Sequence, residues 1–377
     1  MAQGPRGGYP HRPSSLGRVT AHASPAGLAE AKGEWSRLQV ALLVMVWFVW
    51  NITIGCFTKW LFLYGEVCVT GRSCRSFSFP LATTVVHMVV SQAASYTYVF
   101  HVRRSPLGKH LGIRAQLRRV GPLALCFAAS VAMGNASLNY VYPSFKQMVG
   151  SASPVVTVAM SALFTRTCYN WWTWAAMPFI CGGLWMCARG EANYSLLGLN
   201  YAVGSMVLRC AKSIVQAQLL GRGETIDPVT LLYYMSPFAG ILMLLTSLVL
   251  EGIEPYTLLL QATSEYIGFS PVAAPESTGT PGGGRGLPGV VLLLLVSGLN
   301  ACFLNISGFF VTQQTSAVSL QVLGCVKSCL GIAFSVAVFR NPLHLNQALG
   351  IAICLSGVYL YESRGTSTKV AATQKES

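Results

Sequence analysis

Five basic side chains lie within apolar stretches of the sequence, where they could bind a negatively charged group. They are Lys59, Lys146, Arg209, Lys212 and Lys327. The 12 acidic residues all fall in polar segments or at the ends of apolar stretches. A charged side chain at the centre of a membrane helix costs about 2.5–3.5 kcal/mol on insertion scales. Because the apolar stretches supply no acidic partner, we expect an anionic ligand in a watery cavity to compensate the cations.

The positions of these five residues favour a binding role to different degrees. Arg209 and Lys212 are three residues apart and therefore share one face of a helix. Lys327 lies midway through its apolar stretch, with Gln321 on nearly the same face. Lys146 begins its stretch and Lys59 lies near the end of another, so either could instead extend its ammonium group to the membrane surface.

Two aromatic residues are further candidates for contact with a ligand. Tyr233 and Tyr234 precede Pro237, and their rings could stack on a base or a sugar or could serve in packing. His87 is more typical of a hydrogen-bonded packing residue than of a proton relay. The sequence has no P-loop and no CxxC pair, and the interiors of its apolar stretches hold no carboxylates. We therefore predict no enzyme activity, no metal site and no cofactor.

The composition places these residues in a membrane protein. Hydrophobic residues make up 53% of the 377 residues and charged residues only 10%, with a mean hydropathy of +0.51, whereas a soluble chain is about 25% charged. A membrane helix needs roughly 17–25 mainly apolar residues. Ten such windows are predicted: 38–65, 79–101, 120–141, 143–165, 171–188, 196–220, 229–250, 288–311, 316–339 and 346–362.

The distribution of Lys and Arg predicts the orientation. Sixteen of the 26 lie in or next to the two tails, in the 102–119 loop, and at Arg166 and Arg222, which share one side of the membrane, and five lie on the other side. Basic loops favour the cytosolic side, so we expect both termini in the cytosol. The net charge of +14 is then mainly a property of the cytosolic surface, and binding to nucleic acid is not predicted.

The chain divides into one membrane domain and two tails. We predict a disordered cytosolic tail over 1–36, a ten-helix domain over 37–364 with a flexible insertion at 262–287, and a cytosolic tail over 365–377. Cys68 and Cys74 share a non-cytosolic loop and could form a disulfide, which their spacing alone does not decide.

The two halves of the domain resemble each other. Residues 135–141 (NASLNYV) match residues 305–311 (NISGFFV), and further matches follow in the same order. We therefore predict an all-α integral membrane fold of ten transmembrane helices, built as two inverted five-helix repeats over 37–190 and 195–364. Inverted repeats with a binding site between them are typical of secondary transporters.

Several segments carry a resemblance to a known family. They are Phe79-Pro-Leu followed by His87-Met, GNASLNYVYPSFKQMVGSASP, RCAKSIVQAQLL, LLYYMSP, TSAVSLQVLGCVKS, FRNPL and LGIAICLSGVYLY. Over about residues 38–364 the chain resembles the triose-phosphate/nucleotide-sugar transporter family of the drug/metabolite transporter superfamily. The resemblance implies ten helices and alternating-access exchange of a phosphorylated metabolite for phosphate or a nucleoside monophosphate.

The resemblance also implies roles for single residues. Lys327 matches the ninth-helix lysine that family members use to hold the substrate phosphate. Plastid phosphate translocators place Arg and Lys where this chain has Ser328 and Gly150, and residues 232–235 and 323–327 replace the motifs of GDP-mannose carriers. A small residue after the lysine is similar to plant-type UDP-sugar carriers and to orphan members of solute carrier family 35.

These observations predict a Golgi or ER antiporter that exchanges a nucleotide sugar, expected to be a UDP-sugar, for a nucleoside monophosphate. Lys327, Arg209 and Lys212 would hold the diphosphate. One alternative is a plastid inner-envelope antiporter that exchanges a sugar phosphate or phosphoenolpyruvate for phosphate. Another is a non-transporting membrane scaffold of the same fold. The expected partners are the lipid bilayer and an anionic phosphorylated small molecule, and a homodimer is left open.

Overall fold

The computed structural model of the chain describes residues 35–67, 75–104, 111–165, 167–188, 195–221, 226–267, 287–339, 345–365 and 369–370. Most of these residues are helical. The helices are α1 Arg37–Tyr64, α2 Pro80–Thr97, α3 Ile113–Ser137, α4 Pro143–Gly150, α5 Ser153–Thr165, α6 Trp171–Ala188, α7 Leu196–Gly221, α8 Pro228–Leu250, α9 Glu254–Ile267, α10 Leu287–Gln314, α11 Ala317–Phe339 and α12 Leu345–Leu360. Single π-helical turns extend α2 over Tyr98–Val102 and α12 over Tyr361–Gly365.

Two short antiparallel strand pairs complete the described secondary structure. Strand β1 (Glu66–Val67) pairs with β2 (Arg75–Ser76) between α1 and α2. Strand β3 (Thr167–Cys168) pairs with β4 (Lys369–Val370), which brings the α5–α6 connection next to the C-terminal segment. These two chain segments therefore lie on the same side of the molecule, as the predicted topology requires.

Helices occupy every apolar window that the sequence predicts, and the expectation of a helical membrane protein is confirmed. Five segments are long and apolar enough to cross a membrane: Arg37–Tyr64, Ile113–Ser137, Phe145–Thr165, Pro228–Leu250 and Pro288–Gln314. Helix α1 shows the expected distribution of side chains, because it buries only Trp47, Phe48 and Leu61. Leu42 and Met45 on its outer surface are each 57% exposed. Such a continuous apolar surface suits contact with lipid.

Two local predictions differ from the structure. The window at 143–165 is interrupted at residues 151–152, so that it forms α4 and α5. Pro154 is tolerated because it lies in the first turn of α5, where its missing N–H has no helical partner to lose. The predicted flexible insertion is wrong over 262–267, which belong to α9, because Tyr256 and Leu259 of this helix pack on the cluster around Leu61. Residues 268–286 of the insertion, the 1–34 tail, Cys68 and Cys74 lie outside the described residues.

Glycines let helices α6 and α12 approach until their backbones touch. A Cβ atom added at Gly183 would meet the backbone of Cys354 and lie 2.6 Å from the Gly350 carbonyl oxygen. A Cβ atom added at Gly357 would lie 2.8 Å from the Ile180 nitrogen. Small residues are the usual means by which membrane helices pack closely, and α6 and α12 form one of the most extensive helix contacts in the described structure.

Helices α2 and α8 are joined at both ends by charged groups. At one end, the Glu251 carboxylate accepts hydrogen bonds from the backbone N–H groups of Leu81 (2.7 Å) and Ala82 (2.8 Å) at the start of α2. A carboxylate at a helix N-terminus is stabilised by the unpaired N–H groups and the helix dipole. At the other end, Arg103 forms an ion pair with Asp227 at 3.2 Å.

Candidate functional site: a cavity lined with basic residues

A cavity of about 590 Å³ lies between the two halves of the helical domain. Its walls come from α1, α3, α4, α5, α6, α7, α10 and α11, so both halves contribute. Its volume falls within the range of about 300–1,000 Å³ that is typical of small-molecule sites. The wall combines aromatic rings, side-chain amides and cationic groups, which are the groups that would contact an organic phosphate.

Four of the five predicted cationic residues line this cavity: Lys146, Arg209, Lys212 and Lys327. None of the described residues that line it is Asp or Glu. Arg209 and Lys212 both lie on α7, whereas Lys146 lies on α4 and Lys327 on α11, so the four cations come from three helices. The four like charges repel one another, and the lining residues do not neutralise them. An anion that enters the cavity would therefore be attracted from several sides.

Lys327 is held by two residues of α1. Its Nζ atom donates a hydrogen bond to Asn51 Oδ1 at 3.0 Å and lies 5.9 Å from the centre of the Trp47 ring. Asn51 is fixed in turn, since its Nδ2 atom donates to the Trp47 carbonyl oxygen at 2.7 Å. Neither Asn51 nor Trp47 was predicted from the sequence as a site residue. The one signal available was an amide side chain within an apolar window.

Lys146 and Arg209 are positioned by glycines on neighbouring helices. Lys146 Nζ donates to the Gly134 carbonyl oxygen at 2.6 Å. The Arg209 guanidinium group passes over Gly150, where an added Cβ atom would lie 3.2 Å from Nη2. Gly150 thus leaves room for a long side chain that reaches across from α7.

The remaining polar residues of the cavity connect its walls through hydrogen bonds. Gln321 Nε2 donates to Ser213 Oγ at 2.7 Å, which joins α11 to α7. Gln216 Nε2 donates to Thr312 Oγ1 at 2.5 Å, which joins α7 to α10. Lys212 Nζ lies 5.0 Å from the centre of the Phe127 ring, a distance that permits a cation–π contact. The predicted residue Gln321 is therefore part of the cavity wall.

Three predicted site residues lie away from this cavity. Lys59 is exposed on α1, which favours the alternative that it extends to the membrane surface. Tyr233 contacts the rings of Tyr96 and Phe100. Tyr234 is 3% exposed, and its hydroxyl accepts a hydrogen bond from the backbone N–H of Leu111. Both tyrosines thus lie outside the lining of this cavity, which favours the packing alternative, and their contact with a ligand stays a prediction.

The family of the chain follows from its sequence match. The model of the Triose-phosphate Transporter family matches residues 38–362, which include every residue that lines the cavity. The chain therefore belongs to this family, and the resemblance expected from its motifs is confirmed. A cavity that gathers cations between the helices of such a protein is a candidate site for its transported substrate.

Similar proteins include transporters named for two kinds of phosphorylated cargo. The chain is 30% identical to "UDP-uronic acid transporter 1" of Arabidopsis thaliana, over 86% of this chain and 94% of the relative. It is 28% identical to a "Probable sugar phosphate/phosphate translocator" of the same plant, over 85% of this chain and 93% of the relative. A solved crystal structure with 13% identity has a TM-score of 0.56, covers 86% of this chain and 96% of that chain, and shows a shared fold.

Proposed function

We propose that the protein is a secondary antiporter that exchanges a nucleotide sugar, most simply a UDP-sugar, for a nucleoside monophosphate. One observation carries this proposal: four cations from both halves of the domain converge on one cavity whose described lining includes no carboxylate. A nucleotide sugar carries its negative charge on a diphosphate that can contact several cations together. The relative named for a UDP-uronic acid supports the choice of cargo.

The cavity residues suggest how this cargo would be bound. Lys327 and Arg209 would hold the diphosphate, because charge-assisted hydrogen bonds to phosphate are the strongest contacts such side chains offer. Lys146 and Lys212 would add attraction from α4 and α7. The aromatic rings of Phe127 and Trp47 provide apolar surface for the base or the sugar.

The charge of the cavity also provides a reason for exchange. Without a ligand, four cations would have to move through an apolar environment during the change between outward and inward states, at a cost for each charge. A bound anion lowers that cost, and it can do so from either side of the membrane. The carrier would therefore change state when loaded with either anion and seldom when empty.

The packing of the helices supports the further proposal of ten membrane spans in two inverted repeats. The proposal takes α4 and α5 as one span and leaves α9 outside the membrane. In this proposal α1, α2, α3 and α6 of the first half correspond to α7, α8, α10 and α12 of the second half. The α3–α7 contact then has its counterpart in the α10–α1 contact, and the α2–α10 contact has its counterpart in the α8–α3 contact. In the α2–α8 and α6–α12 contacts, each helix packs against its own counterpart. A pattern of this kind is expected of two halves related by a twofold axis.

The proposal includes a Golgi or ER membrane with both termini in the cytosol. It rests on the excess of basic residues in the terminal tails and the 102–119 loop. Imaging the full-length protein beside a variant without residues 1–36 distinguishes this location from a plastid one. An unchanged location after removal supports the Golgi or ER, whereas loss of plastid import supports the alternative.

Counterflow in proteoliposomes tests the transport function. Vesicles loaded with UMP should take up labelled UDP-sugar, and Lys327→Ala should lower this uptake at least tenfold, because a charge-assisted contact is worth about 1.5–3 kcal/mol. Lys59→Ala is the matched control, since it removes a lysine from outside the cavity and should leave uptake unchanged. Full uptake by Lys327→Ala would refute the role of this lysine.

The second candidate is exchange of a sugar phosphate for inorganic phosphate, which the name of the other plant relative favours. The same cations would bind a single phosphate group. Vesicles loaded with phosphate distinguish the two cargo classes, because only a sugar-phosphate carrier should exchange phosphate for triose phosphate. Failure to exchange any of these anions would favour the non-transporting scaffold.

A further inference from the structure

Asn51 is the residue of α1 that forms a hydrogen bond with Lys327. Its Oδ1 atom accepts the hydrogen bond from Lys327 Nζ at 3.0 Å, and its Nδ2 atom is anchored 2.7 Å from the Trp47 carbonyl oxygen. The amide is thus fixed in one orientation, with its oxygen directed toward the ammonium group. Asn51 therefore accepts a hydrogen bond from Lys327 without carrying a charge of its own.

An uncharged partner has a particular consequence in this cavity. Asn51 positions Lys327 and leaves the positive charge in place, so the ligand-free cavity keeps all four charges. A carboxylate at the same position would pair with Lys327 permanently and would imitate one oxygen of a bound phosphate. The choice between an amide and a carboxylate at this position therefore decides how many uncompensated charges the empty carrier holds.

We propose that Asn51 is a positioning residue that holds Lys327 in place for the ligand without neutralising it, so that the empty cavity keeps the charge on which strict exchange depends. This inference rests on the proposed antiport function. In the wild-type protein an arriving phosphate replaces the amide oxygen as the acceptor of the Lys327 hydrogen bond, because a charged acceptor binds an ammonium group more strongly than a neutral one. After the anion leaves, Lys327 forms its hydrogen bond with Asn51 again. The empty carrier then remains too highly charged to change between the outward and inward states.

Substitution by aspartate separates positioning from charge. Asn51→Asp keeps the size of the side chain and adds a carboxylate about one hydrogen bond from Lys327. We expect it to lower counterflow and to raise net efflux of UMP into ligand-free buffer, so that the ratio of efflux to exchange rises about tenfold. A tenfold change in this ratio corresponds to about 1.4 kcal/mol in the difference between the barriers for movement of the empty and of the loaded carrier.

Asn305→Asp is the matched control. Asn305 also lines the cavity, and its Nδ2 atom also donates to the carbonyl oxygen four residues earlier, that of Ala301 at 2.9 Å. The Asn305→Asp substitution adds the same negative charge to the same cavity, but from α10. We expect Asn305→Asp to leave the ratio of efflux to exchange near that of the wild type. An equal rise in both variants would show that total charge matters and the contact with Lys327 does not, and would overturn the inference.

Asn51→Leu and a stability measurement complete the test. Asn51→Leu removes the partner without adding charge, so it should weaken binding of UMP and leave exchange strict. Thermal unfolding in detergent checks that each variant is folded. Strict exchange by a folded Asn51→Asp variant would refute the role of Asn51. Absence of any exchange by the wild-type protein would instead refute the proposed function.

Discussion

Single residues decide whether the cations of the cavity can reach a common ligand. Arg209 can reach across to α4 because Gly150 on that helix has no side chain. Lys146 is similarly fixed against the Gly134 carbonyl oxygen. The binding properties of the cavity therefore depend on two small residues as much as on the charged ones.

Gly150→Ala tests this dependence. The added Cβ atom would lie 3.2 Å from Arg209 Nη2, so the guanidinium group must shift by a few tenths of an ångström. We expect UMP binding to weaken about three- to tenfold through a poorer contact with phosphate. Isothermal titration of the purified protein measures this change.

Gly324→Ala serves as the control for that experiment. Gly324 also lines the cavity, and an added Cβ atom would meet nothing within 4 Å. Its binding constant should match the wild type. Equal weakening by both alanine substitutions would indicate a loss of cavity volume rather than displacement of Arg209.

At the scale of elements, the close contact of α6 and α12 makes a stability prediction. Gly183→Ala places a methyl group against the backbone of Cys354 and Gly350, which cannot move aside as a side chain would. We expect this overpacking to destabilise the protein by about 1–3 kcal/mol. Thermal unfolding in detergent should show a lower midpoint.

The adjacent glycine provides the comparison. A Cβ atom added at Gly182 meets nothing within 4 Å. Gly182→Ala should leave the stability unchanged or raise it by about 0.5–1 kcal/mol, because alanine favours the helix over glycine. Unfolding midpoints that fall equally in both variants would contradict the close contact at Gly183.

Much of the helical architecture was predictable, because long apolar runs need helices in a membrane. The convergence of Lys146, Arg209, Lys212 and Lys327 was also predictable, since cations in apolar stretches without acidic partners are expected to share an anionic ligand, whereas Lys59, predicted on the same grounds, lies outside the cavity lining. The partners of these cations were not. Whether Asn51 meets Lys327 or Arg209 meets Gly150 depends on how far each helix is rotated and shifted against its neighbour, and a single sequence does not record these quantities.

At the scale of the whole molecule, orientation is the property most open to a direct test. Cys168 is exposed in β3, beside the C-terminal strand β4. The proposed topology puts this side in the cytosol, because basic residues are in excess in the tails. In sealed vesicles with the cytosolic surface outward, a membrane-impermeant maleimide should therefore label Cys168.

Cys168→Ser is the control that assigns the label. Loss of labelling in this variant identifies the site. Cys210 is buried in α7 and should not contribute. Labelling of Cys168 only after the vesicles are permeabilised would place the C-terminal segment in the lumen and reverse the proposed topology.

The passage of Arg209 over Gly150 has a consequence for how such a protein can evolve. One position is in the first half of the chain and the other is in the second, yet together they fill a single volume. A longer side chain at position 150 would collide with the guanidinium group, and a shorter one at position 209 would leave a gap. Substitutions at these two positions are therefore coupled, because a larger residue at position 150 requires a smaller one at position 209.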